Sequence, residues 1–326
     1  MSRTLQQRII KSKATFPVTV VLALSLWLVG VQCPLTEEIP LTGWWGTLNL
    51  PVWIMEVGNL LLCLFALFLM SGLNNAYSLV GHRSTLQTSF FLLLWTALPA
   101  FSHSLGGNLL FVCLIWSIFF LFRSYQLTLP VGEVAHLFFF IGVSSLIQCH
   151  IIWIIPLIYI TLYIFKALSP RTFCAGLVGF LLPYWFLFAY TFCADKMELF
   201  YAPWQSFHHL SVGGYSTVSL PNWLLMGYIA LLFLYGGGYV LMNGHSYKIR
   251  TRLFLLFLLW WSFFGLLLWI LIPSAWGVLA TIPILGISLL AGHAFVHSST
   301  WASNILFLLA LILMISLSVY NCLWMR

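Results

Sequence analysis

The sequence predicts an all-α fold, a polytopic bundle of transmembrane helices with about eleven spans, several of them short. Three observations predict it. Of the 326 residues, 62% are hydrophobic and only 6% are charged, whereas a soluble domain carries about 25% charged residues. Mean hydropathy is +1.03, so lipid is the main solvent and the backbone must satisfy its own hydrogen bonds there. The apolar runs are also continuous, without the alternation of a barrel strand, which leaves helices as the solution.

The spans follow in order along the chain. The first, near 14–32, comes after the basic terminus MSRTLQQRIIKSK. Its length, and the lack of a small-residue cleavage site in VQCPLTEE, mark a retained anchor rather than a cleaved signal. The second span is 52–73. Four short runs follow at 88–102, 108–122, 133–147 and 151–166, joined by the tight connections SHSLGG and QCH. Each is about 15 residues, roughly 22 Å at 1.5 Å per residue, against the roughly 20 residues of a full crossing. Local thinning, oligomerisation or packing inside the bundle accommodates such segments, and re-entrant hairpins are the alternative, so the count is open by one or two. The runs 172–193, 222–242, 253–271, 276–293 and 302–323 complete the series. Residues 1–326 make one integral membrane domain with long connections at 33–51 and 194–221 and no soluble domain.

Charge placement sets the expected orientation. With the amino terminus cytoplasmic, the inner segments hold Arg3, Arg8, Lys11, Lys13, Arg83, Arg123, Lys166, Arg171, Lys248, Arg250 and Arg252, which is 11 of the 13 basic residues. Glu37, Glu38, Asp195 and Glu198 fall outside. This satisfies the positive-inside rule for a bacterial inner-membrane protein and puts the carboxyl terminus outside. The net charge of +7 then reflects anchoring to membrane lipids, and nucleic acid is not implied.

The two long connections fall on the outer side. The later one contains APWQSFHHLSVGGYS, residues 202–216, with adjacent His208 and His209. The outer face therefore gathers His103, His150, His208 and His209 with Glu37, Glu38, Asp195 and Glu198, and Glu56 lies near the outer end of the second span. Histidine with carboxylate is the combination general acid–base chemistry needs near neutral pH. The alternative is that polar residues collect in loops because lipid excludes them. No short-range ligand spacing supports a metal, and no cofactor signature is present.

Other polar features read as structural. Glu133 and His136 lie one turn apart at an inner end, where pairing with Arg123 or Arg83 is expected. His293 and His297 share a helical face without the glutamate of a zinc-protease motif, so capping or packing is expected. Pro156, Pro183 and Pro283 fall inside predicted spans and should kink them, and Gly236 to Gly238 should admit a close helix neighbour. Cys33, Cys149 and Cys193 at the outer boundary allow one disulfide but no framework. A nucleotide-binding loop, a dinucleotide fingerprint and a serine-hydrolase elbow are all absent from the sequence. The deep spans lack the acids of an ion-coupled transporter.

The runs LNNAYSLVGHRSTLQTSFFLLLWTALPAFSHSLGGNLLFVCLIWSIFFLFRSYQ, VGEVAHLFFFIGVSSLIQCHIIWIIPLIYITLYIF and RTFCAGLVGFLLPYWFLFAYTF resemble a family of multi-pass inner-membrane proteins from Bacteroidota-type bacteria. That resemblance, over about residues 57 to 193, carries no activity across. A looser similarity is to polytopic glycosyltransferases and O-antigen polymerases or ligases that use polyprenyl-linked sugars. In the transferases an acid follows the first span, which Glu37 or Glu38 matches. In the ligases and polymerases an outer loop carries histidine and arginine. Here the loop has His208 and His209, and Lys196 in place of an arginine.

Three functions fit these readings. The first is a non-enzymatic component of cell-envelope assembly or secretion, with other envelope proteins as partners. The second is a transferase or polymerase of polyprenyl-linked glycan at the outer face. There Glu37, Glu38, His208 or His209 would take the proton of an acceptor hydroxyl, while Asp195, Lys196, Trp204 and Tyr215 bind substrate. The third is a transporter of lipidic cargo.

Overall fold

A computed structural model describes residues 5–12, 14–31, 51–80, 85–98, 102–208, 220–272, 275–298 and 300–324. Among the described residues the chain is helical and contains no strand. Seven helices are long and apolar enough to cross a membrane, and four shorter apolar helical segments accompany them. Together they match the eleven runs read from the sequence. This is a multi-pass α-helical membrane protein.

A short helix α1 (Leu5–Lys11) precedes the first span, α2 (Thr15–Val31). Then come α3 (Val52–Tyr77), α4 (Leu86–Thr96), α5 (Leu105–Arg123) and α6 (Val131–Ile147). A 3-10 turn over Cys149–Ile154 leads into α7 (Ile155–Ile164), followed by α8 (Pro170–Cys193) and α9 (Glu198–His208). The chain ends with α10 (Leu220–Asn243), α11 (Ile249–Leu271), the single turn α12 (Trp276–Leu279), α13 (Thr281–His297) and α14 (Trp301–Trp324).

Successive spans run in opposite directions, which gives the bundle two distinct ends. Arg123, Lys166, Arg171, Lys248, Arg250 and Arg252 lie at or between helix termini of one end, here the basic end. There the Arg250 guanidinium sits 5.4 Å from the ring centroids of both Tyr77 and Phe254. The two long connections of the sequence leave from the opposite end, the loop end.

The axis of the bundle is α13. Every residue of its most apolar stretch is buried, against α10, α11, α4 and α5. Small residues let these neighbours approach. A Cβ on Gly236 would lie 3.1 Å from the Ala291 nitrogen, whereas Gly238 has open space, so only one end of the YGGGY stretch acts as a contact. All of α4 is buried as well, which is why eleven residues suffice there: a helix surrounded by protein need not match the bilayer. By contrast, only a third of the most apolar stretch of α8 is buried. It leans on α6, where a Cβ on Gly142 would meet the Phe180 carbonyl oxygen at 2.6 Å.

The prolines behave differently from a simple kink rule. Pro156 and Pro283 stand in the first turns of α7 and α13, where no intrahelical donor is lost. Pro183 alone of the three is interior, within α8. The connection after α8 also differs from a plain loop, because Glu198–His208 forms α9. Cys149 is buried and Cys193 exposed, both as free thiols, and Cys33 lies outside the described residues.

Candidate functional site at the loop end

The turn between α4 and α5 is built from short polar side chains that replace missing backbone partners. Ser104 caps α5, its Oγ accepting the Gly107 N–H at 3.2 Å. One turn into the helix, Asn108 is 3% exposed. Its Nδ2 reaches the carbonyls of Ser102 at 3.1 Å and Ser104 at 3.0 Å and the Asn59 Oδ1 at 3.2 Å. Its Oδ1 accepts the Trp95 Nε1–H at 2.7 Å. One amide thereby ties α3, α4 and α5 together, and the low dielectric around it makes a rigid tie, since an unpaired amide there is costly.

That frame holds His103. Its Nδ1 lies 2.9 and 3.1 Å from the two carboxylate oxygens of Glu56. Its ring stacks on Trp27 of α2, with centroids 5.7 Å apart and planes 13° apart. The His103 side chain is 2% exposed and that of Glu56 is 18% exposed. Trp27 Nε1 and Asn59 Nδ2 are buried without a hydrogen-bond partner among the described residues. A carboxylate on Nδ1 makes that nitrogen the donor and leaves Nε2 as the basic atom, the arrangement that prepares a histidine to accept or return a proton.

The other outer residues read from the sequence are dispersed or lie outside the described residues. Glu37, Glu38, His209 and Tyr215 lie outside them, and His208 is the last residue of α9. His150 is buried, with Nδ1 2.8 Å from Gln148 Nε2. Asp195 adopts a left-handed conformation with φ 53°, and the Lys196 N–H returns to the Thr191 carbonyl at 2.9 Å. The pair therefore forms the C-terminal stop of α8, with both residues exposed. Trp204 packs on Tyr184 of α8 at 5.6 Å, and the Tyr184 hydroxyl is 2.9 Å from Ser145 Oγ.

At the basic end the structural readings hold. Arg123 pairs with Glu133 at 3.6 Å, and His136 stacks on Phe120 at 5.1 Å. His293 directs Nδ1 to the Leu79 carbonyl at 2.7 Å and stacks on His297 at 4.4 Å. Tyr247, in the connection beside them, meets the His293 ring at 5.0 Å. Burial pushes its hydroxyl up to about 12, with Tyr239 adding to the shift. Among the described residues no three His, Cys, Asp or Glu side chains are placed to hold a metal.

The fold has a solved counterpart. It resembles ArnT from Cupriavidus metallidurans, whose crystal structure contains bound undecaprenyl phosphate, with a TM-score of 0.56 at 13% identity. The likeness covers 91% of this chain and 63% of ArnT, so the chain spans less than two thirds of its counterpart. No family model and no curated protein matches the sequence. At this identity the likeness is one of fold, a polytopic helix bundle. The resemblance to the Bacteroidota-type family gains no support from it.

Proposed function

We propose that this protein transfers a sugar carried on a polyprenyl phosphate, working at the loop end of the bundle in a bacterial inner membrane. The observation that carries the reading is the fold likeness to a protein solved with undecaprenyl phosphate, which extends over 91% of the chain. With the amino terminus cytoplasmic, the loop end faces outward, and the lipid tail lies among the spans while its phosphate sits at that end.

In the reaction an acceptor hydroxyl oxygen attacks the anomeric carbon. The bond between that carbon and the phosphate oxygen breaks, and polyprenyl phosphate leaves as the anion. The hydroxyl proton passes to a carboxylate or imidazole. Glu37 or Glu38, in the connection between α2 and α3, is the first candidate for that role. The Glu56–His103 pair borders the same connection, since Trp27 on α2 stacks on His103 and Glu56 stands in the first turns of α3. It supplies a second, preorganised proton acceptor. Lys196, exposed at the end of α8, neutralises the leaving phosphate. Trp204 and Tyr215 offer faces on which a sugar can stack.

The test is reconstitution of the purified protein into liposomes with a radiolabelled sugar on undecaprenyl phosphate. Transfer to water or to an added glycan acceptor, lost in a Glu37→Gln/Glu38→Gln double variant that still accumulates, supports the reading. Absence of both transfer and undecaprenyl phosphate binding overturns it and returns the envelope-component reading to first place.

A further inference from the structure

Two hydrogen-bond donors beside the Glu56–His103 pair have no acceptor. Trp27 Nε1 and Asn59 Nδ2 are both buried without a partner among the described residues. An indole N–H can only donate, and a side-chain amide nitrogen carries two donor hydrogens. Buried donors are nearly always paired, because an unmade bond leaves their lost hydration uncompensated. Unused hydrogens on two neighbouring side chains point to an acceptor that arrives from outside the chain.

Both donors border the turn that carries His103. Trp27 lies with its ring over the imidazole, the planes 13° apart. Asn59 is fully buried and follows Glu56 by three positions on α3, which puts the two on one helical face. The direction of its amide follows from its neighbours. Trp95 can only donate, so Asn108 meets it with Oδ1 at 2.7 Å and turns Nδ2 to Asn59 Oδ1 at 3.2 Å. The same Asn108 nitrogen holds the carbonyls of Ser102 and Ser104, on either side of His103. Asn59 Nδ2 is therefore the end of this series of bonds that lacks an acceptor. Glu56, with 18% of its side chain exposed, is where the group meets solvent.

The chemistry of the group selects its ligand. Unused N–H donors call for an oxygen that accepts. The Glu56 carboxylate beside them repels an oxygen that carries negative charge, such as that of a phosphate. His103 Nε2, left basic by the carboxylate on Nδ1, calls for a donor. Neutral hydroxyls meet all three conditions, since each both accepts and donates. We propose that Trp27, Asn59 and the Glu56–His103 pair bind a neutral sugar by its hydroxyls. Trp27 Nε1 and Asn59 Nδ2 donate to hydroxyl oxygens, and one hydroxyl donates to His103 Nε2. The inference rests on the sugar-transfer reading and supplies the acceptor half of that reaction. As the oxygen of that hydroxyl bonds to the anomeric carbon, polyprenyl phosphate leaves with the bonding pair and the hydroxyl proton passes to Nε2.

Saturation-transfer difference NMR on the full-length protein in nanodiscs tests it. The probes are the methyl glycosides of glucose, galactose, mannose and N-acetylglucosamine, with glucose 1-phosphate as the charged control. At least one neutral glycoside should bind in preference to the phosphate. Trp27→Phe keeps a ring over His103 and removes the N–H, so the dissociation constant should rise about fivefold, equivalent to about 1 kcal/mol for one hydrogen bond. Its melting temperature should hold or rise, because an unpaired buried donor is gone. Asn59→Leu, the second variant, should weaken binding by a similar factor. Undecaprenyl phosphate binding is measured on the same samples. If that lipid binds while no glycoside does, while glucose 1-phosphate binds best, or while both variants bind glycoside as the parent does, the hydroxyl site is overturned and the transfer reading stands. Glycoside binding that the variants weaken, in a protein that does not bind undecaprenyl phosphate, supports the site and overturns the transfer reading instead.

Discussion

Two histidines lie buried at opposite ends of the bundle and differ in what holds them. His293, in the buried stretch of α13, hands its Nδ1–H to a backbone carbonyl, that of Leu79. His103, in a turn, hands its Nδ1–H to a carboxylate that is itself partly exposed. A carbonyl accepts that hydrogen bond as an uncharged partner. A carboxylate fixes the same tautomer while setting a negatively charged partner against the ring and leaving Nε2 as the acceptor. Under the proposed function, the difference separates a packing device from a chemical one among residues of identical type.

The sharpest way to break the comparison is His103→Gln. If that ring handles the proton, sugar transfer should fall about 100-fold, at the lower end of general acid–base contributions, with undecaprenyl phosphate binding retained. Loss of binding and transfer together would demote His103 to packing. At the other end, His293→Ala should leave transfer per folded molecule unchanged. It strands a buried carbonyl, so the midpoint of unfolding in detergent should reflect a loss of roughly 1–3 kcal/mol. Glu56→Gln keeps a hydrogen bond but removes its charge, so transfer should drop about fivefold, the ~1 kcal/mol between charge-assisted and neutral hydrogen bonds. The smallest effect belongs to Arg123→Gln. Its partner Glu133 is 3.6 Å away and the arginine is 60% exposed, so a stability change below about 1 kcal/mol is expected.

Much of the architecture was legible because each span is an apolar run that ends at a polar or turn residue. What escaped were the elements too short or too mixed to show a run. The seven residues of α1 are held by Gln6, which bonds to Phe295 across 289 positions, and α9 carries Glu198, Pro203 and four aromatic residues in eleven positions. Pro156 looked like a kink because sequence alone does not reveal that the preceding residues form a separate 3-10 turn. The site was half legible. His103 and Glu56 could both be placed at one end of the bundle. Their pairing across 47 positions depends on the Asn108 tie between helices, and no spacing rule encodes that.

The burial of α13 has a consequence for how the chain is made. It emerges after α4, α5, α10 and α11, yet its place is at the centre, against all four. The helices synthesised before it must therefore wait around an unfilled slot, and the chain ending at Leu271 is a ring without its spindle. Assembly of this bundle is completed from the inside, and only then does α14 close over it.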